Sequence, residues 1–152
     1  MKTLLVLFLF VVGRHCSAAD PPAAGSTNGT RYYVQLIQGS DQLLPPIPGA
    51  RLVGPKIRKQ LDPVFRWKSY WEIQRSHVGV EAGRTGRVNL TDGRSLVIDL
   101  RQPGKRAIHI YRGKTLVRIA VCALDKEICI QGTETTDGVA WFVVVRTDPP
   151  AT

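Results

Sequence analysis

The chain has 152 residues, 21 of them basic and 12 acidic, for a net charge of +9. That length argues against several domains and admits one with a core large enough to fold unaided. The charge favours an anionic partner such as nucleic acid, acidic polysaccharide, lipid head groups or envelope polyanions; the plainer reading is a basic surface that keeps the protein soluble.

Residues 1–19 read as an export signal. Lys2 gives a positive start, residues 4–12 are an unbroken apolar run, and Ala18 and Ala19 offer a small-residue cleavage site. The run is far short of the roughly 20 residues that span a bilayer, so no transmembrane segment is expected after cleavage. Cys16 follows Gly13, Arg14 and His15, and the charge at Arg14 fits a lipid-anchor site badly. Removing Lys2 and Arg14 with the signal leaves 19 basic against 12 acidic residues, or +7. The expected location is periplasmic or extracellular, where nucleic acid is an unlikely partner.

Residues 20–30 contain Pro, Ala, Gly, Ser, Thr and Asn without apolar periodicity, so they are expected to form a flexible tether. One β domain is expected over 31–148, with a tail at 149–152. Within it, β-branched and aromatic residues alternate with polar ones between Gly, Asp and Lys turns, which predicts an all-β antiparallel sandwich or barrel-like meander of about eight short strands. The first strand covers 32–38. A Pro-rich surface connection at 44–54 follows, carrying Pro45, Pro46, Pro48 and Gly49.

Pro55 then opens one short helix, which Pro63 stops near Leu61 or Asp62; Ile57 and Leu61 fall on one face and must pack against the sheet. From here to Arg75, Lys56, Arg58, Lys59, Arg66, Lys68 and Arg75 interleave with Phe65, Trp67, Tyr70 and Trp71. Rings stack on flat faces while cations meet phosphate or carboxylate, so this mixture marks a surface for an anionic partner, with Lys56, Arg58, Lys59, Arg66, Trp67 and Lys68 as its contacts. The structural alternative puts Phe65, Trp67 and Trp71 in the core and leaves the cations as a solvated face.

Further strands are expected at 70–80, with a break near His77, and at 87–90, 95–100, 107–112, 115–122, 127–131 and 139–146. Asp92-Gly93 and Gly113-Lys114 suit tight hairpin turns. Alternation directs Leu96, Ile98, Leu100, Ile108 and Ile110 inward and His109 outward. Residues 141–145 are apolar at every position, as in a central strand covered on both faces. Arg101, Lys105, Arg106, Arg112, Lys114 and Arg118 form a second basic cluster around a hairpin, expected to be a wet edge that discourages aggregation.

Cys122 and Cys129 are expected to bridge as a structural disulfide. A four-residue hairpin loop at 124–127 would set them opposite one another on adjacent strands. Their spacing is not the C-x-x-C of a redox pair, and with His77 and His109 they match no metal-ligand pattern.

Catalysis has little support. His77 and His109 sit in no hydrolase motif, and Asp62, Glu72, Asp92 and Asp99 show no spacing that pairs two carboxylates. Gly79, Gly83 and Gly86 lack a following helix to hold phosphate, so no cofactor is expected. Asn28-Gly29-Thr30 and Asn89-Leu90-Thr91 match the N-glycosylation pattern, relevant only in a eukaryote.

The segment 61–70, LDPVFRWKSY, together with 140–145, AWFVVV, resembles a pattern in small exported bacterial β proteins of unknown function. The resemblance rests on packing residues and implies a fold, with no site to transfer. The expected function is non-catalytic binding of an anionic glycan or envelope component through the basic and aromatic surface. The alternatives are an accessory subunit docking onto another exported protein, and a hydrolytic enzyme using His77 or His109.

Overall fold

A computed structural model describes residues 29–136 and 138–150. The expected signal, Cys16 and the tether up to residue 28 lie outside them. The described chain forms β1 (Thr30–Ser40), β2 (Arg51–Leu52), α1 (Pro55–Leu61), β3 (Ser69–Val80), β4 (Thr85–Asn89), β5 (Arg94–Asp99), β6 (Lys105–Arg112), β7 (Thr115–Ala123), β8 (Ile128–Thr136) and β9 (Val139–Arg146). The strands make two antiparallel sheets: five strands in the order β2-β3-β1-β9-β8, and four in the order β4-β5-β6-β7.

The all-β sandwich follows the alternation in the sequence, but the simple meander holds only for the four-stranded sheet. In the other sheet β1 lies between β3 and β9, so the first and last strands are neighbours. The reason lies in the side chains of β1. Val34 and Leu36 point to one core and Ile37 to the other, so this strand is covered on both faces and takes a central place. The ninth strand, β2, lies inside the Pro-rich connection, where only Arg51 and Leu52 pair with Glu72 and Trp71. No break occurs at His77: β3 runs on, with Tyr33 paired to His77 and Thr30 to Val80. β8 extends to Thr136, well past the expected end at 131, because it stays paired with β9 as far as Thr136 and Val139.

Turn chemistry behaves as its residues dictate. Asp92 and Gly93 both take positive φ, 57° and 65°, the pattern of the tight turn that matches strand twist. Between β6 and β7, Gly113 alone does so, at 58°.

Two cores result. Between the sheets, Tyr32, Val34, Leu36, Val143, Val145 and Cys129 meet Leu96, Ile98, Ile108, Ile110, Ala120 and Cys122. On the outer side of the five-stranded sheet, Ile57 and Leu61 of α1 cover Ile37, Tyr70, Ala140, Phe142 and Val144. The sheet is thus apolar on both faces along β9, which accounts for the unbroken run 141–145. Burying Ile57 and Leu61 contributes about 1.5 to 3 kcal/mol each, which holds a seven-residue helix that would not persist alone.

Two expectations about the β6–β8 region are corrected. Cys122 and Cys129 are bridged, with Cα atoms 6.5 Å apart. They do not, however, face one another across a hairpin: β7 belongs to one sheet and β8 to the other, so the bond staples the two layers together. Arg106 is not part of a wet cluster either. It is fully buried, its guanidinium lies 5.2 Å from the centre of the Tyr32 ring, and Nη2 donates to the Lys126 carbonyl at 2.9 Å. Strand alternation explains this, since Arg106 shares the inward face with Ile108 and Ile110.

Candidate functional site

The six residues expected to contact an anionic partner are divided by the fold. Lys56 points away from the rest and pairs with Glu127 at 2.8 Å and Asp148 at 2.9 Å. Arg58 pairs with Asp62 one helical turn on, at 3.2 Å. Lys59, Arg66 and Lys68 are exposed on the surface of the α1–β3 region. Trp67 is half-buried and packs against the outer core, as does Phe65, whereas Trp71 is buried. The aromatics of this segment therefore serve both readings: they pack, and two of them keep one side open.

That open side forms the wall of a cleft of about 660 Å³, of a size that suits a ligand. It runs from the α1–β3 connection across the β8 edge to β7. Phe65 and Trp67 line it from the connection, Trp141 and Phe142 from β9, and Ile130, Thr133 and Thr135 from β8. Arg118 of β7 and Lys126 of the β7–β8 connection bring positive charge, and no carboxylate is among its described lining residues. Of the six expected residues only Trp67 lines this cleft.

Each wall is fixed by a local cause. The Tyr70 hydroxyl donates to the Phe65 carbonyl at 2.6 Å, and the Phe65 ring meets Phe142 edge-on with centroids 4.7 Å apart. Burial pushes the Tyr70 hydroxyl up from its ordinary pKa, so it stays a donor. Trp67 lies on Gly39 of β1, where a Cβ would come within 2.8 Å of the indole Cδ1. Trp141 has the Arg94 guanidinium over its ring at 4.2 Å. Lys126 is held from behind by the Arg106 bond to its carbonyl, and the same connection is tied by Leu124 N–H donating to Gly104 at 3.0 Å and by the Lys56–Glu127 pair.

A second, smaller hollow of about 270 Å³ lies between α1 and the end of β9, lined by Gln35, Lys56, Arg75, Arg146 and Asp148 among others. Its charges are mutually occupied. Arg146 pairs with Asp148 through two bonds, one of 2.8 Å, and this pairing, with Lys56 adding to it, holds the Asp148 carboxyl well below the usual range. Glu127 and Asp148 in turn push Lys56 up. Close by, the buried Gln35 donates to Glu72, which also accepts from Arg75 Nε at 2.8 Å.

The residues considered for catalysis lie apart. His77 is exposed on β3, its ring 6.4 Å from that of Tyr33, and His109 is half-buried on the outer face of β6, opposite Val97 and Ile119. Asp99 is held down to about 2, first by the side-chain bond from Arg101, then by the Arg101 backbone N–H and the nearby charges of Arg101 and His109. Among the described residues no group of three His, Cys, Asp or Glu side chains is placed to hold a metal ion, and no helix is long and apolar enough to cross a membrane.

The cations at the cleft were legible only in part. Arg118 belongs to the second basic cluster of the sequence, but nothing there places it beside Trp67; Lys126 and Trp141 carry no local signal of a surface role. Tertiary packing alone brings them together. No protein-family model, no curated protein and no solved structure matches this chain.

Proposed function

We propose that the protein is an exported, non-catalytic module that binds an anionic chain, an acidic glycan of the cell envelope or its surroundings, in the cleft between the α1–β3 connection and the β7–β8 edges. The observation that carries this reading is the composition of the cleft: three half-buried aromatic side chains, Phe65, Trp67 and Trp141, backed by the buried Phe142, with two cations and no described carboxylate in about 660 Å³. Sugar rings lie flat on aromatic faces, and acidic substituents meet the exposed Arg118 and Lys126 through charge-assisted hydrogen bonds. Export rests on the N-terminal sequence, and a disulfide between the sheets agrees with an oxidising compartment. The Lys59, Arg66 and Lys68 side chains add a positive approach that raises local ligand concentration without fixing its pose.

Retention on an immobilised acidic polysaccharide such as polygalacturonate tests the reading. Arg118→Glu with Lys126→Glu is expected to abolish retention at low salt, and Trp67→Ala to weaken it by about 1 to 3 kcal/mol, the scale of one aromatic platform. An Arg58→Glu, Lys59→Glu variant, which spares the Lys56–Glu127 pair holding the Lys126 connection, should keep most of its retention. Loss in that double variant with none in Arg118→Glu/Lys126→Glu would move the site to the helix and overturn the assignment to the cleft.

A further inference from the structure

We propose that β7 is a docking edge that takes an extended, acidic segment of another exported protein as an added strand. The proposal rests on the free edge and outward face of β7, which border the cleft only at Arg118 and Lys126. β7 ends the four-stranded sheet and, among the described residues, is paired in that sheet with β6 alone. Its nine residues span about 30 Å of strand whose far side offers backbone donors and acceptors for pairing.

Natural edges of that length are normally blunted by charge or proline. Here Arg118 turns into the cleft, and the outward row is apolar: Leu116, Ile119 and Val121 are 44%, 54% and 57% exposed. They lie beside Tyr111, His109 and Ala107 of β6 in register. The other edges differ, since β2 has two residues, β4 has five including Arg87, and β8 past Ile130 carries the polar Gln131, Thr133 and Thr135. An added strand would continue the sheet and cover the row with its alternate apolar side chains, the mode in which main-chain bonds give affinity and side-chain pockets give specificity.

Charge selects the partner. Arg112 and Lys114 stand at one end of β7, and Lys105, paired across from Ala123, with Lys126 at the other; the acidic residues of that connection are Asp125 and Glu127, the latter paired with Lys56. An antiparallel second copy would bring these basic ends against one another, which is unfavourable. A segment that alternates apolar and acidic residues meets opposite charge at both ends instead.

The probe is a nine-residue peptide of alternating valine and glutamate, with a control of the same composition arranged in two blocks. Amide exchange of β7 in the disulfide-bonded protein should slow on adding the alternating peptide and not the block peptide. Ile119→Thr with Val121→Thr should weaken peptide binding at least tenfold, while circular dichroism and retention on the polysaccharide stay as in the parent. Unchanged β7 exchange, or protection confined to cleft residues, would overturn the proposal. Protection of β7 that grows with protein concentration in the absence of peptide would overturn it in favour of self-association.

Discussion

Gly39 shows how one residue shapes the candidate site. Its missing side chain lets the Trp67 indole lie directly on the β1 backbone, with Phe142 on the same spot, where an added Cβ would sit 2.8 Å from Trp67 Cδ1 and 3.1 Å from Phe142 Cε2. Gly39→Ala is expected to push the indole off this seat, destabilise the fold by about 1 to 3 kcal/mol through overpacking, and shift tryptophan emission along with loss of polysaccharide retention. Urea unfolding and fluorescence check it; unchanged emission and stability would mean that Trp67 is not seated there. Arg106 is the converse case, a large charged side chain where strand alternation calls for an apolar one. Of its polar atoms Nη2 is bonded, and Nε and Nη1 find no partner among the described residues, so the charge leans on the Tyr32 ring. Its position fixes the connection carrying Lys126. The one sequence signal that separates this arginine from its solvated neighbours Lys105 and Arg101 is its alternation with Ile108 and Ile110, which the density of charge around it outweighed.

At the level of elements, the short helix was legible in detail. Pro55 and Pro63 bound it, and the spacing of Ile57 and Leu61 names its buried face, because both signals are local. The disulfide was legible as a bond and not as a geometry. Seven positions separate the two cysteines, a spacing that serves a hairpin or a crossing between layers equally well. Only the sheet assignment of β7 and β8 decides, and it depends on β8 preferring β9 as its partner. Since the bond closes a short loop, replacing both cysteines with serine is expected to lower stability by about 2 to 3 kcal/mol and to leave the fold intact. A parallel drop in polysaccharide retention is expected, as the staple holds the β7–β8 connection beside the cleft. Urea midpoints with and without reductant measure the effect; equal midpoints would show that the layers need no staple.

For the whole molecule, pH gives the most direct test of how the surface charges are arranged. Asp99 and Asp148 both have carboxyls depressed by arginine partners, Asp99 to about 2 against an ordinary 3.8. A depressed carboxyl stabilises the fold above its unfolded pKa and loses that contribution as pH falls through the folded one. Stability is therefore expected to be flat down to about pH 4 and to fall between there and pH 2 for Asp99, with Asp148 continuing the loss below. The Arg101 side chain is largely exposed, so its share is screened and shrinks with added salt. Urea midpoints measured against pH should show a shallower acid slope in Asp99→Asn/Asp148→Asn; an unchanged slope would place the acid sensitivity elsewhere.

Alternation of side chains, turn residues and proline placement are local, and they determined eight of the nine strands, the two tight turns, the helix and the central place of the last strand, but neither the short β2 nor the far end of β8. Pairing between strands far apart in the chain is not local. The place of β1 beside β9, the split of β7 and β8 between layers, and the meeting of Trp67, Trp141, Arg118 and Lys126 in one cleft follow from which faces must be covered at once. A single strand's pattern states that a face needs covering, and only the packed molecule decides what covers it.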